Sequence, residues 1–265
     1  MSIHPTALVS ISDLPADSAV GPYCLIESDV RIGSGSCLAA HSIVRSGSEL
    51  AANVQVDSFA VIGGAPQSLS FLASTSSGVK IGAATILREG VTIHRATQEN
   101  QYTLIGCNCL LMCHAHIAHD CVIGDGVTLA NNSMLGGHVH IGDKAFIGGG
   151  AGIHQFVRIG ELAMIAGNAS VSADVPPYVM VAERNVACGL NLIGLRRAGV
   201  EAAAIAELKR CYRAVFFGPG NPVAKAQSAR ESMGLDPSPQ ARAFLDFFQT
   251  SKRGYVRSRN DYQNA

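Results

Sequence analysis

The chain has 265 residues, of which 48% are hydrophobic and 15% are charged, and its formal net charge at pH 7 is zero. This composition is typical of a well-buried chain and excludes a disordered one. A neutral chain lacks the basic surface that nucleic acid or an anionic membrane requires, so we expect neither as a partner. The N-terminal residues lack a basic start before an apolar run, and no apolar run is long enough to cross a bilayer. We therefore expect a cytoplasmic protein without an integral membrane segment.

A branched aliphatic residue recurs every sixth position through most of the chain. In the stretch from Ile105 to Val171, the residue two positions before each aliphatic is small or β-branched, so both lie on one side of a short strand. Hexapeptide repeats of this kind predict a parallel β-helix. The aliphatic positions are Leu8, Leu14, Val20, Ile26, Ile32, Leu38, Val44, Leu50, Val56, Ile62, Ile81, Leu87, Ile93, Ile105, Leu111, Ile117, Ile123, Leu129, Leu135, Ile141, Ile147, Ile153, Ile159, Ile165 and Val171.

Two segments interrupt the repeat. Between Ile62 and Ile81 the phase shifts by one residue across a stretch rich in Gly, Ser and Pro, which predicts a loop. A second excursion, residues 95–104, keeps the phase. Insertions in solenoid proteins gather on binding faces, so we expect both loops to contribute to function.

The chain has eight cysteines, which raises the question of disulfides or a metal site. Cys24, Cys109 and Cys121 occupy the small inward position of the repeat, where a thiol packs as a small hydrophobe. We therefore expect reduced thiols. The cysteines close to His114 match no zinc site built from paired ligand motifs, and we expect no metal.

Histidines concentrate in the second half of the repeat. If three hexads make one triangular coil, residues eighteen apart stack one strand spacing apart, about 4.8 Å. His119, His138 and His154 are then expected to line one wall in consecutive coils, with His116 in the turn just before it. A single polar residue outside a β-helix usually marks a solvated face, whereas four converging histidines indicate a site.

The repeat ends at residues 176–178, and the chain then crosses over without clear periodicity as far as residue 194. Helix-forming composition and apolar spacing predict helices over residues 199–217, 222–233 and 238–250. These helices form a cap over the open end of the solenoid, whose last coil would otherwise expose unpaired backbone. We predict two domains, a β-helix over residues 1–189 and a helical domain over residues 190–265.

The histidine-rich region carries a resemblance to a known family. The motifs are REGVTIHR, then LLMCHAHIAHDCVIGDGVTLANNSMLGGHVHIGDKAFIGGGAGIHQFVRIG, then DVPPY and GLNLIGLRRAG. Together they resemble the acyl-ACP–UDP-N-acetylglucosamine O-acyltransferases, the first enzymes of lipid A synthesis. The resemblance implies a left-handed parallel β-helix with a C-terminal helical cap, assembled as a homotrimer with active sites between subunits.

The resemblance also implies a reaction. Members of the family move a 3-hydroxyacyl chain from the thioester of acyl carrier protein, a co-substrate, to the glucosamine 3-hydroxyl of UDP-N-acetylglucosamine, without a bound cofactor. By resemblance His119 is the general base, Asp120 orients its ring, and the backbone N–H of Gly137 stabilises the oxyanion. The implied substrate-binding residues are Gln67, Ser68, His94, His116, His138, His154, Gln155, Gly167, Asn191 and Arg197.

Some of these residues have a more specific implied role. His94 matches a position near the nucleotide sugar, and Asn191 and Arg197 match the UDP end, where a guanidinium suits phosphate. Gly167 matches the position whose side-chain volume limits acyl length, which implies a fairly long chain. For Arg197 and its neighbour Arg196 the alternative is the basic start of a helix.

The chain departs from the family pattern around the implied site. Ser68 and Ser70 replace an acid and a lysine, Ile193 and Ala198 replace an acid and a base, and Arg184 replaces a common glycine. The implied catalytic residues are intact while the periphery is altered. A related acyltransferase that uses acyl-CoA or another nucleotide sugar therefore stays open.

Three other classes fit the sequence less well. CoA-dependent hexapeptide acetyltransferases usually lack the helical cap, and the later N-acyltransferase of lipid A synthesis would carry an additional N-terminal domain. A non-catalytic scaffold would have no reason to gather histidines on one wall.

Within the cap, Lys209, Arg210 and Arg213 form either a docking patch for acidic acyl carrier protein or a solvated helix face.

Overall fold

The computed structural model describes residues 2–232 and 237–258. Most of its strands are two residues long, because a tight turn comes after almost every inward aliphatic residue. In chain order the strands are β1 (Ser2–Ile3), β2 (Leu8–Val9), β3 (Ala19–Val20), β4 (Leu25–Ile26), β5 (Arg31–Ile32), β6 (Cys37–Leu38), β7 (Ile43–Val44), β8 (Ser48–Leu50), β9 (Gln55–Val56), β10 (Val61–Gly64), β11 (Gly78–Ile81), β12 (Ile86–Leu87), β13 (Thr92–His94), β14 (Tyr102–Ile105), β15 (Leu110–Leu111), β16 (His116–Ile117), β17 (Val122–Ile123), β18 (Thr128–Leu129), β19 (Met134–Leu135), β20 (His140–Ile141), β21 (Phe146–Ile147), β22 (Gly152–Ile153), β23 (Arg158–Ile159), β24 (Met164–Ile165), β25 (Ser170–Val171), β26 (Val179–Ala182), β27 (Val186–Leu190) and β28 (Arg257–Ser258).

The helices come after β27. They are α1 (Leu192–Arg197), α2 (Ala202–Phe216), α3 (Pro222–Ser232) and α4 (Pro239–Asp246), continued by a 3-10 helix (Phe247–Gln249). The three predicted helices are confirmed, although Met233, the predicted end of the second, lies outside the described residues. The crossover expected to be aperiodic contains β27, paired antiparallel with β26, and the unpredicted α1.

The strands stack into three sheets, which we name A, B and C and which are parallel apart from the antiparallel pair β26–β27. Sheet A runs β1-β3-β6-β9-β12-β15-β18-β21-β24-β26-β27-β28, sheet B runs β2-β4-β7-β10-β13-β16-β19-β22-β25, and sheet C runs β5-β8-β11-β14-β17-β20-β23. The chain passes from A to B to C and back to A, so each coil has three sides. Ile117 pairs with Leu135 and Leu135 with Ile153, which confirms the coil of eighteen residues.

The inward residues of the repeat form one continuous core that extends into the cap. Every aliphatic position from Val20 to Val171 is buried, as are the small positions Cys24, Cys109 and Cys121. The prediction of an inward side chain is wrong at Leu8, which is 68% exposed. Leu8 pairs with Leu25, so Val9 faces the core beneath Ile26 instead. The first coil is one residue short, and sequence periodicity alone does not reveal such a slip.

Both predicted loops leave the coil at the corner between sheets B and C, after β10 and after β13. They are stacked on each other. The Asn100 amide donates to the Ser76 carbonyl (2.7 Å), and the Arg95 guanidinium donates to the Ala73 carbonyl (3.1 Å). The second loop therefore supports the first.

Arg158 on β23 fastens the cap to the solenoid and is itself held by an ion pair with the fully buried Asp174. The Asp174 carboxylate accepts from the backbone N–H and the Nε of Arg158, both at 2.9 Å. The same guanidinium donates to the Phe247 carbonyl (3.2 Å) and the Thr250 carbonyl, which end the last helical turn. One side chain thus joins the last coil of sheet C to the cap.

The predicted domain boundary at residue 189 falls inside β27, and β28 pairs with that strand from beyond the helices. The division into two domains therefore stays a prediction, and the outer ends of both ranges, residue 1 and residues 259–265, lie outside the described residues. Among the described helices, none combines the length and the apolar character needed to cross a bilayer.

We expect Arg158→Leu to destabilise the protein by about 3 kcal/mol, because it leaves the buried Asp174 carboxylate without its cation. Denaturant unfolding at one fixed protein concentration measures the change. Arg31→Leu is the matched control, since it removes a surface ion pair with Glu49 whose arginine side chain is 73% exposed, and it should cost less than about 1 kcal/mol. Equal losses in the two variants would contradict the buried role of Arg158.

Candidate active site

The candidate site lies at the corner between sheets B and C, in the turns after β16, β19 and β22. Because residues eighteen apart stack, Asp120, His138 and Phe156 occupy equivalent turn positions, with φ of 60°, 59° and 66°. This left-handed conformation is unusual for residues other than glycine, although Asn, Asp and His adopt it more readily than most. The turn projects these side chains outward from the corner.

His119 and Asp120 form a hydrogen-bonded pair. His119 Nδ1 donates to Asp120 Oδ2 at 2.7 Å, and the two side chains are only 18% and 11% exposed. Burial alone would raise the pKa of Asp120, but hydrogen bonds from Thr97 and His119 outweigh it and keep the pKa below its usual value. An ionised Asp120 can only accept, so the proton of neutral His119 sits on Nδ1 and leaves Nε2 with a free electron pair.

Thr97, in the second loop, fixes the Asp120 carboxylate. Its hydroxyl donates to Oδ2 at 2.7 Å and its backbone N–H donates to Oδ1 at 3.1 Å. Thr103 Oγ1 accepts from the Asp120 backbone N–H at 2.9 Å. Neither threonine is among the residues predicted from the sequence. The one available signal is that the second loop keeps the repeat in phase, which returns the chain to the same corner.

His138 completes the cluster. Its ring stacks on Phe156 (centroids 4.6 Å apart) and meets the edge of the His119 ring (5.2 Å), and its Nε2 lies 3.6 Å from Asp120 Oδ2. Burial lowers the pKa of His138 more than Asp120 raises it, which favours the neutral ring. Phe156 is also absent from the predicted residues, since an exposed aromatic residue carries no chemical signal by itself.

Gly137 lies directly against the His119 ring. A Cβ at position 137 would come within 2.5 Å of His119 Cε1, so a side chain there would displace the ring. Within the described residues, no backbone carbonyl accepts from the Gly137 amide, whereas the next amide, of His138, donates to the His119 carbonyl at 3.0 Å. The glycine therefore allows the His119 ring to lie directly against the backbone at position 137.

His94 and His116 lie beside the cluster on neighbouring strands of sheet B, with ring centroids 4.8 Å apart. The prediction that His116 lies in a turn is wrong, because this residue is on β16 and its Nδ1 bonds Thr92 Oγ1 at 2.8 Å. Burial lowers the pKa of His116, and burial together with the two neighbouring imidazoles lowers that of His94 to about 4. His94 Nδ1 is buried without a hydrogen-bond partner in the described part of the chain.

His154 is offset from the other histidines. It is equivalent to Ala118 and Gly136, one position before His119. The three imidazoles therefore lie at one corner in consecutive coils, but they do not occupy equivalent positions. Only His119 and His138 touch. His154 and Gln155 are exposed, and His154 Nδ1 lies 2.9 Å from Arg253 Nη2.

The remaining candidate residues lie on other elements of the protomer. Gln67 and Ser68 belong to the first loop, and Gly167 comes after β24 at the opposite edge of sheet B. Asn191 caps α1 by accepting from the Gly194 amide at 2.9 Å, and Arg197 is exposed in the last turn of that helix. The alternative of a basic helix start for Arg197 is wrong, because Arg197 lies at the end of α1 and not at its start. A cation in the last turn complements the negative end of the helix dipole.

His119, Asp120 and His138 also offer ligand atoms within 4.8 Å of one another, the one such group in the described residues. The Asp120 carboxylate, however, already accepts hydrogen bonds from His119 and Thr97. The arrangement fits a base held by a carboxylate, able to remove a proton from a hydroxyl that approaches Nε2.

The basic side chains of Lys209, Arg210 and Arg213 are exposed on α2, and their proposed docking role stays a prediction.

The chain is similar to known proteins over most of its length. Residues 174–256 match the second domain of the UDP-N-acetylglucosamine O-acyltransferases, and residues 102–137 match the bacterial transferase hexapeptide family. An acyl-ACP–UDP-N-acetylglucosamine O-acyltransferase of Gloeothece citriformis is 44% identical over 176 residues, which are 66% of this chain and 63% of that protein. The corresponding protein of Rhizobium johnstonii is 36% identical over 248 residues, 92% of this chain and 90% of that one.

A solved structure extends the likeness to three dimensions. LpxA from Acinetobacter baumannii superposes with a TM-score of 0.87 at 35% identity and covers 97% of each chain. The predicted fold class, a left-handed parallel β-helix with a C-terminal helical cap, is confirmed. The resemblance found in the motifs is confirmed as well: the chain belongs to the acyl-ACP–UDP-N-acetylglucosamine O-acyltransferase family.

Proposed function

We propose that this chain transfers a 3-hydroxyacyl group from acyl carrier protein to the glucosamine 3-hydroxyl of UDP-N-acetylglucosamine, the first step of lipid A synthesis. The observation that carries the proposal is the His119–Asp120 pair, which leaves an unprotonated imidazole nitrogen beside the Gly137 backbone. Family membership supplies the substrates. An acyl-CoA donor or another nucleotide sugar is the alternative that the altered periphery keeps open, and an assay with both kinds of donor tests it.

In the proposed step His119 takes up one proton and later releases it. Its Nε2 takes the proton of the sugar hydroxyl as the oxygen attacks the thioester carbonyl, and Asp120 stabilises the imidazolium that forms. The Gly137 N–H donates to the oxyanion of the tetrahedral intermediate. When the C–S bond breaks, the imidazolium returns its proton to the departing sulfur, which leaves as the thiol of the carrier. No cofactor takes part in this step.

The other residues of the wall suit neutral, oxygen-rich ligands. Burial favours neutral rings at His94, His116 and His138, so they can donate or accept hydrogen bonds without adding charge near His119. We assign Gln67, Ser68, His154 and Gln155 to the same substrate surface, and Gly167 to the end of the acyl chain.

We further propose that the working unit is a cytoplasmic homotrimer. We assign Asn191 and Arg197 to the UDP end. Asn191 donates to the Leu162 carbonyl at the corner between sheets C and A, whereas His119 lies at the corner between sheets B and C. A substrate bound at both places therefore needs these residues from a neighbouring subunit, and a closed ring of three copies supplies them.

We expect His119→Ala to lower turnover at least about a hundredfold, because the sugar hydroxyl loses its base. Turnover is measured with acyl-ACP and acyl-CoA donors against UDP-N-acetylglucosamine. His41→Ala is the matched control, since His41 stacks between Tyr23 and Phe59 at a different corner. Near-normal activity of His119→Ala would contradict the assignment of His119 as the base. Turnover of the unaltered protein with acyl-CoA but not with acyl-ACP would contradict the proposed acyl donor.

Thr97→Val should lower kcat by about tenfold, because a hydrogen bond to a charged carboxylate is lost while shape is retained. Thr97→Ser keeps the hydroxyl and should restore most of the activity. Steady-state kinetics at saturating substrate separates kcat from KM. Equal impairment of the two variants would mean that Thr97 acts through packing and not through Asp120.

Sedimentation should show a particle of three protomer masses at assay concentration. In addition, mixing His119→Ala with Arg197→Ala under exchange conditions should recover activity, because some sites then receive His119 and Arg197 from intact neighbours. A stable monomer that remains active, or a failure of two separately inactive variants to complement, would rule out the shared cleft.

A further inference from the structure

The segment after the last helical turn returns to the solenoid, and we name it the C-terminal strap (residues 250–256). The Asp174 amide donates to the Gly254 carbonyl (2.8 Å), and the Val256 amide donates to the Asp174 carbonyl (3.0 Å). Arg158 holds the start of the strap through Thr250. The strap is therefore fixed at both ends to the last coil of the β-helix.

This attachment places Arg253 against the candidate site. Arg253 Nη2 lies 2.9 Å from His154 Nδ1, and its Nε donates to the Ser172 carbonyl at 3.3 Å. The Arg253 backbone N–H donates to Ser251 Oγ at 3.1 Å, and the side chain is half-buried. The guanidinium is thus held by the strap on one side and by the solenoid on the other.

The contact determines which nitrogen of His154 carries the proton. An arginine side chain has only donors and does not deprotonate in proteins, so His154 Nδ1 must accept. His154 Nδ1 also lies 3.2 Å from the Gln155 carbonyl, a bond that would need the proton on Nδ1. The two bonds exclude each other. With Arg253 in place, the proton of the neutral ring belongs on Nε2.

We propose that Arg253 is a positioning residue that holds His154 as the Nε2–H tautomer, so that this imidazole presents a hydrogen-bond donor to a substrate oxygen. The inference rests on the proposed function, which assigns His154 to the substrate surface. Sugar hydroxyls, carbonyls and phosphates all present acceptor oxygens. If the ring were protonated on Nδ1 alone, Nε2 would be an acceptor too and could not donate a hydrogen bond to such an oxygen.

The tautomer can be measured without turnover. In protein labelled with ¹⁵N-histidine, long-range ¹H–¹⁵N correlation spectra identify the protonated ring nitrogen, and His154→Ala assigns the signal. We expect Nε2–H in the intact protein and Nδ1–H, bonded to the Gln155 carbonyl, in Arg253→Ala. Arg257→Ala removes an exposed cation directly after the strap, on β28, and should leave the spectrum unchanged. Nδ1–H in the intact protein, or no change in Arg253→Ala, would overturn the proposal.

A kinetic cycle tests the consequence for the reaction. Arg253→Ala should lower kcat/KM about tenfold, and Arg253→Lys, which retains a charged donor, should recover part of it. In a His154→Ala background Arg253→Ala should cause no further loss. The same loss in both backgrounds would mean that Arg253 acts on stability or substrate charge and would overturn the proposal. An inactive intact protein with the expected tautomer would instead count against the proposed function alone.

Discussion

The parallel main-chain ladder with a repeat of eighteen residues is the constraint on which the rest of this structure depends. Each aliphatic residue is buried only if its strand lies directly over the strand one coil earlier, as Ile117, Leu135 and Ile153 do. A slip of one residue would turn every inward side chain outward. Burial of one Leu or Ile side chain stabilises by roughly 1.5–3 kcal/mol, so the core as a whole strongly opposes such a slip.

The same register builds the candidate site. Because three consecutive coils turn this corner in the same left-handed conformation, side chains that are eighteen residues apart become neighbours outside the core. Asp120, His138 and Phe156 are brought together in this way, and Gly137 lies against His119 for the same reason. A rigid backbone thus positions the base and its carboxylate, while the second loop adds Thr97 from outside the repeat. Pre-organisation of this kind favours catalysis, because little movement is needed when charge develops.

Features that arise from periodicity could be predicted from the sequence, whereas features that arise from loops and chain ends could not. The inward residues, the coil length and the long helices are readable from spacing, and the pairing of His119 with Asp120 is implied by the family resemblance. The slip at Leu8 cannot be read in this way, because the sequence keeps an aliphatic residue at every sixth position although the first coil of the structure is one residue short. The contact of Thr97 with Asp120 depends on how the second loop folds, and Arg253 reaches His154 across 99 positions of the chain. Both depend on tertiary packing, of which local sequence gives no sign.

The corner where the two loops leave the coil has a consequence for changes in chain length. The first loop contains one residue more than a whole number of hexads, and the register of β10 against β13 shifts between Ile62 and Gly64, yet β10 pairs in register with β7 and β11 with β8. The extra residue is absorbed there and does not propagate. Deletions or grafted segments at this corner should therefore leave the distant coils unchanged. A single added residue in a tight corner such as Gly126, whose φ is 65°, would instead rotate every later coil.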